Sequence, residues 1–261
     1  MKKKISILII VLVSVNLFAQ TNMIIRTTDG NIHSYSISII DSVFYEEGLP
    51  NCGIVTDIDG NEYPTVIIGT QCWMAEDLKV THYPNGDTIP NVTDDTDWGN
   101  LADDNTSDAY CFYNNDNTTD YGALYTYAAS IGDDWTKDLV ENQGVCPNGW
   151  HLPTDAEWTT LTNYLGGEII AGGKMKEIGT THWNSPNTGA DNSSGFSALP
   201  SGYRINGSGT FYRLGDRSHW WSATEGNSFY AYIRYMSYDN AEVKRTNINK
   251  ALGYSVRCVR E

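Results

Sequence analysis

Cys146-Pro-Asn-Gly-Trp-His-Leu-Pro-Thr-Asp-Ala-Glu-Trp158 joins a cysteine, an aromatic run closed by proline, and a helix start. Thr154 followed three residues later by Glu157 is a capping box, in which each side chain satisfies a backbone N–H that the first helical turn leaves free. Trp158, Leu161 and Leu165 then recur at helical spacing and predict one buried stripe, and Gly166-Gly167 ends the helix. Glu157 could serve as a general acid, but its place in the capping box already explains it. His151, between Trp150 and Leu152, reads as a packed, hydrogen-bonded residue rather than a base.

Outward from this helix the signals alternate. Residues 121–131 predict a helix with Leu124, Tyr127, Ala128 and Ile131 on one face, and a shorter helical piece covers 169–178. Residues 54–55 and 63–68 are strand-like around Asp57-Ile-Asp-Gly-Asn61, a hairpin turn. That turn lacks calcium-loop spacing, because Gly60 comes too early and Val66 stands where a ligating Glu is needed. After residue 200, short aromatic strands are expected at 211–212, 220–221, 229–235 and 254–259. Two or three helices among many short strands indicate an irregular α+β domain over residues 49–261. Ahead of it, residues 20–48 form a short β-leader, with Asp29-Gly30-Asn31 turning between two strand-like runs and a further apolar stretch at 39–45.

The first nineteen residues are separate again. Lys2, Lys3 and Lys4 precede a nearly unbroken apolar run over 5–15, and Ala19 closes the segment. This is the pattern of a secretory signal peptide, and its apolar run is too short to span a bilayer. The expected address is secreted or cell envelope, with no transmembrane segment once 1–19 are removed. The full chain of 261 residues carries 17 Lys+Arg against 32 Asp+Glu, a net charge of −15. Removing three lysines leaves 14 against 32, or −18. Such a balance excludes general nucleic-acid binding and docking on an anionic membrane, both of which need basic surface.

Export changes how the cysteines read. Cys52, Cys72, Cys111, Cys146 and Cys258 are widely spaced, without a Cys-x-x-Cys pair or a histidine at ligand spacing, so a zinc site is not expected. Two disulfides and one leftover thiol is the simple reading, and spacing leaves the pairing open. Residues 84–120 are dense in Asp and Asn. Calcium there remains open without a specific motif, and a solvated loop is the favoured reading. No metal ligand set or cofactor is assigned.

Several further segments resemble a known family: Asp57-Ile-Asp-Gly-Asn-Glu-Tyr63, Ile68-Gly-Thr-Gln-Cys-Trp-Met-Ala-Glu-Asp-Leu78, Tyr121-Gly-Ala-Leu-Tyr125, the segment 146–158, Gly195-Phe-Ser-Ala-Leu-Pro-Ser-Gly-Tyr-Arg204, Trp221-Ser-Ala-Thr-Glu225 and Gly253-Tyr-Ser-Val-Arg-Cys-Val-Arg260. In this order they resemble the family named for the major paralogous domain of Fibrobacter succinogenes, common in secreted proteins of Bacteroidetes and Fibrobacteres. The helix-start segment and the C-terminal cysteine are also similar to those of formylglycine-generating enzymes. The resemblance implies a C-type-lectin-like fold in which the first and last strands pair and Cys146 is bridged to Cys258. It leaves Cys52, Cys72 and Cys111 as one pair and one thiol, unresolved.

The oxidase chemistry of those enzymes needs two neighbouring active cysteines that bind copper, and residues 218–253 contain none. No catalytic residue is assigned, and the chain is expected not to be an enzyme. For binding, Trp183, Asn184, Arg204 and Trp220 offer aromatic faces beside amide and guanidinium groups, a mixture that suits a glycan or a peptide. Core-building is the favoured reading of the same residues. The expectation is therefore an exported, non-catalytic binding or structural module for an extracellular glycan or protein. The alternatives are an enzyme on the formylglycine-generating scaffold and a surface adhesin or assembly component.

Overall fold

Thr154 starts the main helix as its sequence requires: its hydroxyl accepts from the Glu157 N–H at 3.2 Å, and the Glu157 carboxylate accepts from the Thr154 N–H at 2.7 Å. In the computed structural model, residues 51–132 and 142–260 are described in full, and residues 22–26 and 32–36 by their backbone. The chain divides into two units, Met1–Gly48 and Leu49–Glu261. In the first, β1 (Asn22–Arg26) and β2 (Ile32–Ser36) form an antiparallel hairpin with Asn22 opposite Ser36. The segment 1–19 and the apolar stretch 39–45 lie outside the described residues.

The second unit is mixed α/β. Its first sheet is a meander of β3 (Ile54–Thr56), β4 (Glu62–Ile68) and β5 (Gln71–Met74), joined by the C-terminal β13 (Val259–Arg260). The order is β13-β5-β4-β3, so the last strand lies against the third strand of the unit, not the first as expected. The reason is burial. All four residues of β5 are buried, so β5 is a central strand, whereas Ile54 of β3 is largely exposed at an edge. A second sheet holds β10 (Arg217–Glu225), β11 (Tyr230–Ser237) and β12 (Lys244–Asn249). Two hairpins complete the strands: β6 (Tyr110–Phe112) with β7 (Ala123–Tyr125), and β8 (Ser201–Arg204) with β9 (Phe211–Leu214).

Helices α1 (Asp95–Gly99), α2 (Tyr127–Ile131), α3 (Asp155–Tyr164) and α4 (Glu168–Met175) are short. Helix α3 buries Trp158 and Leu161, and Leu165 just beyond it is buried too. Trp158 packs against Trp73 of β5 at 4.7 Å between ring centroids and against Trp220 of β10 at 6.0 Å, so one tryptophan cluster ties both sheets to the helix. The helix expected over 121–131 exists only in its second half. Residues 123–125 are all buried and pair with β6, and Thr126 caps α2 by accepting from the Ala129 N–H. A fully buried strand shows no alternation, so its apolar run imitated a helix face. The expected strand over 254–259 is likewise confined to Val259–Arg260, with Tyr254 and Ser255 making single bridges.

Disulfides join Cys146 to Cys258 and Cys52 to Cys72, and Cys111 is a buried free thiol. The first closes a span of 112 residues, from Cys146 in the segment ahead of α3 to Cys258 just before β13. Among the described residues, no helix is long and apolar enough to cross a membrane.

Candidate functional site

Beyond β5 the backbone stays pinned between two neighbours. The Ala75 N–H donates to Pro64 O at 2.8 Å, and the Leu78 N–H donates to Val256 O at 2.9 Å. This lays Asp77 beside Arg257. Asp77 Oδ1 accepts from Arg257 Nε and from Trp220 Nε1, each at 2.8 Å, and from Arg257 Nη2. Arg257 Nη1 donates to Phe196 O, and its guanidinium lies 4.1 Å from the Phe196 ring centroid. Gly122 closes on the same segment with φ +75°, and a Cβ there would sit 2.9 Å from Leu78 O and from Asp77 Cβ. Only glycine permits both the dihedral and the approach. The turn after α4 supplies a further wall, where Asn187 Nδ2 donates to Glu177 O at 2.8 Å and Gly179 O at 2.6 Å.

Together these segments enclose a cleft of about 350 Å³ whose charged lining is Glu76, Asp77, Lys79, Asp120, Glu177, His182 and Arg257. Glu177 holds His182 Nδ1 at 2.9 Å, and Asp120 lies 3.9 Å from Nε2. The Tyr121 ring meets the His182 ring edge-on at 5.6 Å. Burial raises the Tyr121 phenol above its ordinary value, and the charges of Glu177 and Asp120 raise it further. Burial lowers Arg257, and the Asp77 carboxylate opposes that shift. Oδ1 of Asp77 is thus crowded with donors, while Oδ2 is buried with no hydrogen-bond partner.

Lys79 also borders a second, more open cleft of about 440 Å³, lined by Asn61, Asn91, Asn115 and Asn117 with Asp59, Tyr110 and Phe112. Asp59 accepts from Thr81 N at 2.6 Å and Thr81 Oγ1 at 2.9 Å, and lies 2.6 Å from His82 Nδ1. Burial pushes the Asp59 carboxyl up, but those partners outweigh it and hold the group below its ordinary value.

Three of the four expected binding residues are not at the surface. Trp220 has no exposed area and Trp183 has 1%; Trp183 Nε1 donates to Ala198 O at 2.8 Å. Arg204 is fully buried, donating to Val92 O, Gly209 O and Asp95, with its guanidinium stacked between the Trp98 and Phe211 rings. Their aromatic faces and donors are consumed inside the molecule, as the favoured core-building reading expects, and the alternative of an aromatic binding surface at these three residues is excluded. Asn184 is exposed, and its amide donates to Asp216 at 2.9 Å. It lies outside the cleft lining.

The Asp-dense segment is built the same way. Asp94 caps α1, Asp95 pairs with Arg204, Asp103 accepts from Asn249 and the Ala251 N–H, and Asp116 accepts from Thr118. Among the described residues no group of three or more His, Cys, Asp or Glu could hold a metal ion. Burial pushes the Cys111 thiol up to about 12, so it stays protonated and unreactive. His151 Nε2 lies 2.6 Å from Glu157 Oε1, inside the capping box. Neither His182 nor His151 has a hydrogen bond to a hydroxyl nucleophile among the described residues.

Sequence reasoning missed Asp77, Asp120, Glu177 and His182. Asp77 had a signal: a carboxylate two residues beyond the wholly apolar Cys72-Trp-Met-Ala75 must be either a surface group or half of a buried pair. The others come together only through the fold. The profile of the Fibrobacter succinogenes major domain matches residues 66–260, well over half of the chain and including every charged residue of the cleft. No curated protein and no solved structure matches the chain.

Proposed function

The chain belongs to the Fibrobacter succinogenes major domain family, and on that premise we propose that it is an exported, non-catalytic binding module of the cell envelope or the extracellular medium. Its ligand, a glycan or a protein segment, occupies the cleft between residues 75–79, 119–122 and 177–182. The observation that carries this reading is the buried Asp77 carboxylate, with one oxygen fully engaged and the other lacking a donor, in the wall of a concave, charged cleft. A buried carboxylate oxygen without a donor carries an uncompensated cost of about 1–3 kcal/mol, which positive charge placed in the adjoining cleft would offset.

The fold we propose is C-type-lectin-like. It is supported by the return of β13 to the first sheet and by the disulfide from Cys146, ahead of α3, to Cys258. Export is supported by the segment 1–19 and by two disulfides, which persist in oxidising compartments. The non-catalytic reading is supported by the Cys111 thiol, which burial keeps protonated.

The test is a pair of arrays, one of glycans and one of extended peptides, probed with the chain from Gln20 onward and with Thr119→Trp. Thr119 is half-buried in the lining, so a tryptophan there fills the cleft. The reading expects hits that the substitution abolishes. Hits that survive it, or silence on both arrays, overturn it.

A further inference from the structure

The cleft's charges are not balanced. Arg257 is spent on Asp77, bonding the same oxygen through Nε and Nη2 inside the molecule. What remains on the lining is Glu76, Asp120 and Glu177 against Lys79 alone, with His182 held by Glu177. Their negative field is felt by a neighbour, since Glu177 and Asp120 both raise the Tyr121 phenol. Independently, Asp77 is 5% exposed and its Oδ2 lacks a donor. A neutral ligand would leave the excess negative charge as it is, whatever donors it carries. An anionic ligand would worsen it.

We propose that the cleft takes a basic side chain, lysine or arginine, of an extended peptide. The proposal rests on the cleft being the binding site. The ammonium or guanidinium sits among Glu76, Asp120 and Glu177, and its charge stabilises Asp77 through the low-dielectric wall even short of hydrogen-bond distance. The peptide chain continues past Lys79 into the second cleft. That cleft is lined by Asn61, Asn91, Asn115 and Asn117, amides of the kind that can pair with a peptide unit; those of Asn61 and Asn115 each already donate once, to Asp57 and to Thr93 O.

The experiment is calorimetric titration of the chain from Gln20 onward with four acetylated, amidated peptides that differ at one central residue: Lys, Arg, norleucine or Glu. A chitosan oligomer, an amino-sugar cation, forms a fifth arm. The expected result is binding of the Lys and Arg peptides at least about tenfold tighter than norleucine, a difference of about 1.4 kcal/mol. That advantage should shrink to within about twofold as salt rises from about 0.05 to 0.5 M. It should shrink equally in Glu76→Gln/Asp120→Asn/Glu177→Gln. Asp120→Asn alone, at a largely exposed side chain, should cost about threefold without altering the fold. Equal or tighter binding of the norleucine or Glu peptide overturns the inference, as does preference for chitosan over every peptide. In either case loss of that binding in Thr119→Trp leaves the cleft as the site. Binding unaffected by Thr119→Trp, or no binding in any arm, overturns both.

Discussion

Trp220 shows how much one side chain can hold. Its ring packs tilted against Trp158 and edge-to-face with Phe196, and its indole N–H donates to Asp77 at 2.8 Å. Trp220→Ala should therefore cost about 3–5 kcal/mol in urea unfolding, and Trp183→Ala a similar amount. A loss of ligand binding in either variant without that instability would contradict their place in the core. Glu157 gives a pH signature. Burial pushes its carboxyl up, but the donors His151 and Thr154 outweigh it and hold the group below its ordinary value of 4.5. A carboxyl depressed in the folded state contributes stability that is present above its unfolded value and lost as pH falls through the folded one. Melting temperature should fall as pH drops below about 4.5, and Glu157→Gln should flatten that fall while costing about 1–2 kcal/mol at neutral pH. An unchanged acid slope would show that the capping box does not hold the charge. Residues of this kind were legible in sequence when their partners are local: Thr154 and Glu157 are three apart, whereas Asp77 meets Arg257 across 180 residues.

At the level of elements, the long disulfide carries more constraint than the short one. In the chain-entropy view, closing a loop of 112 residues is worth about 4–5 kcal/mol, and closing one of 20 residues about 3 kcal/mol. Replacing Cys146 and Cys258 by alanine should thus destabilise the domain more than replacing Cys52 and Cys72. Equal losses in thermal unfolding would contradict the assigned connectivity. A thiol titration of the native protein should find no reactive cysteine, and one on unfolding, that of Cys111. Helix α3 could be read from its cap and stripe, and the β3–β4 hairpin from its turn. The strand at 123–125 could not, because burial on both faces removes the alternation that marks a strand. Nor could the order β13-β5-β4-β3, which depends on how completely β5 is enclosed.

At the largest scale, the unit Leu49–Glu261 is an irregular α/β frame that spends most of its distinctive chemistry on itself. Arg204, Arg234, Arg257 and Lys176 are buried and committed to carboxylates or carbonyls. The aromatic richness that suggested a sugar-binding surface is largely core. Among the described residues the cleft beside Asp77 keeps uncommitted carboxylates on its lining, and binding there is the central claim. Amide NMR of the uniformly labelled chain, titrated with the tightest ligand from the arrays, tests it most directly. Shifts concentrated on residues 75–79, 119–122 and 177–182 are the predicted result; shifts confined to any other surface, with those three segments unmoved, would contradict it.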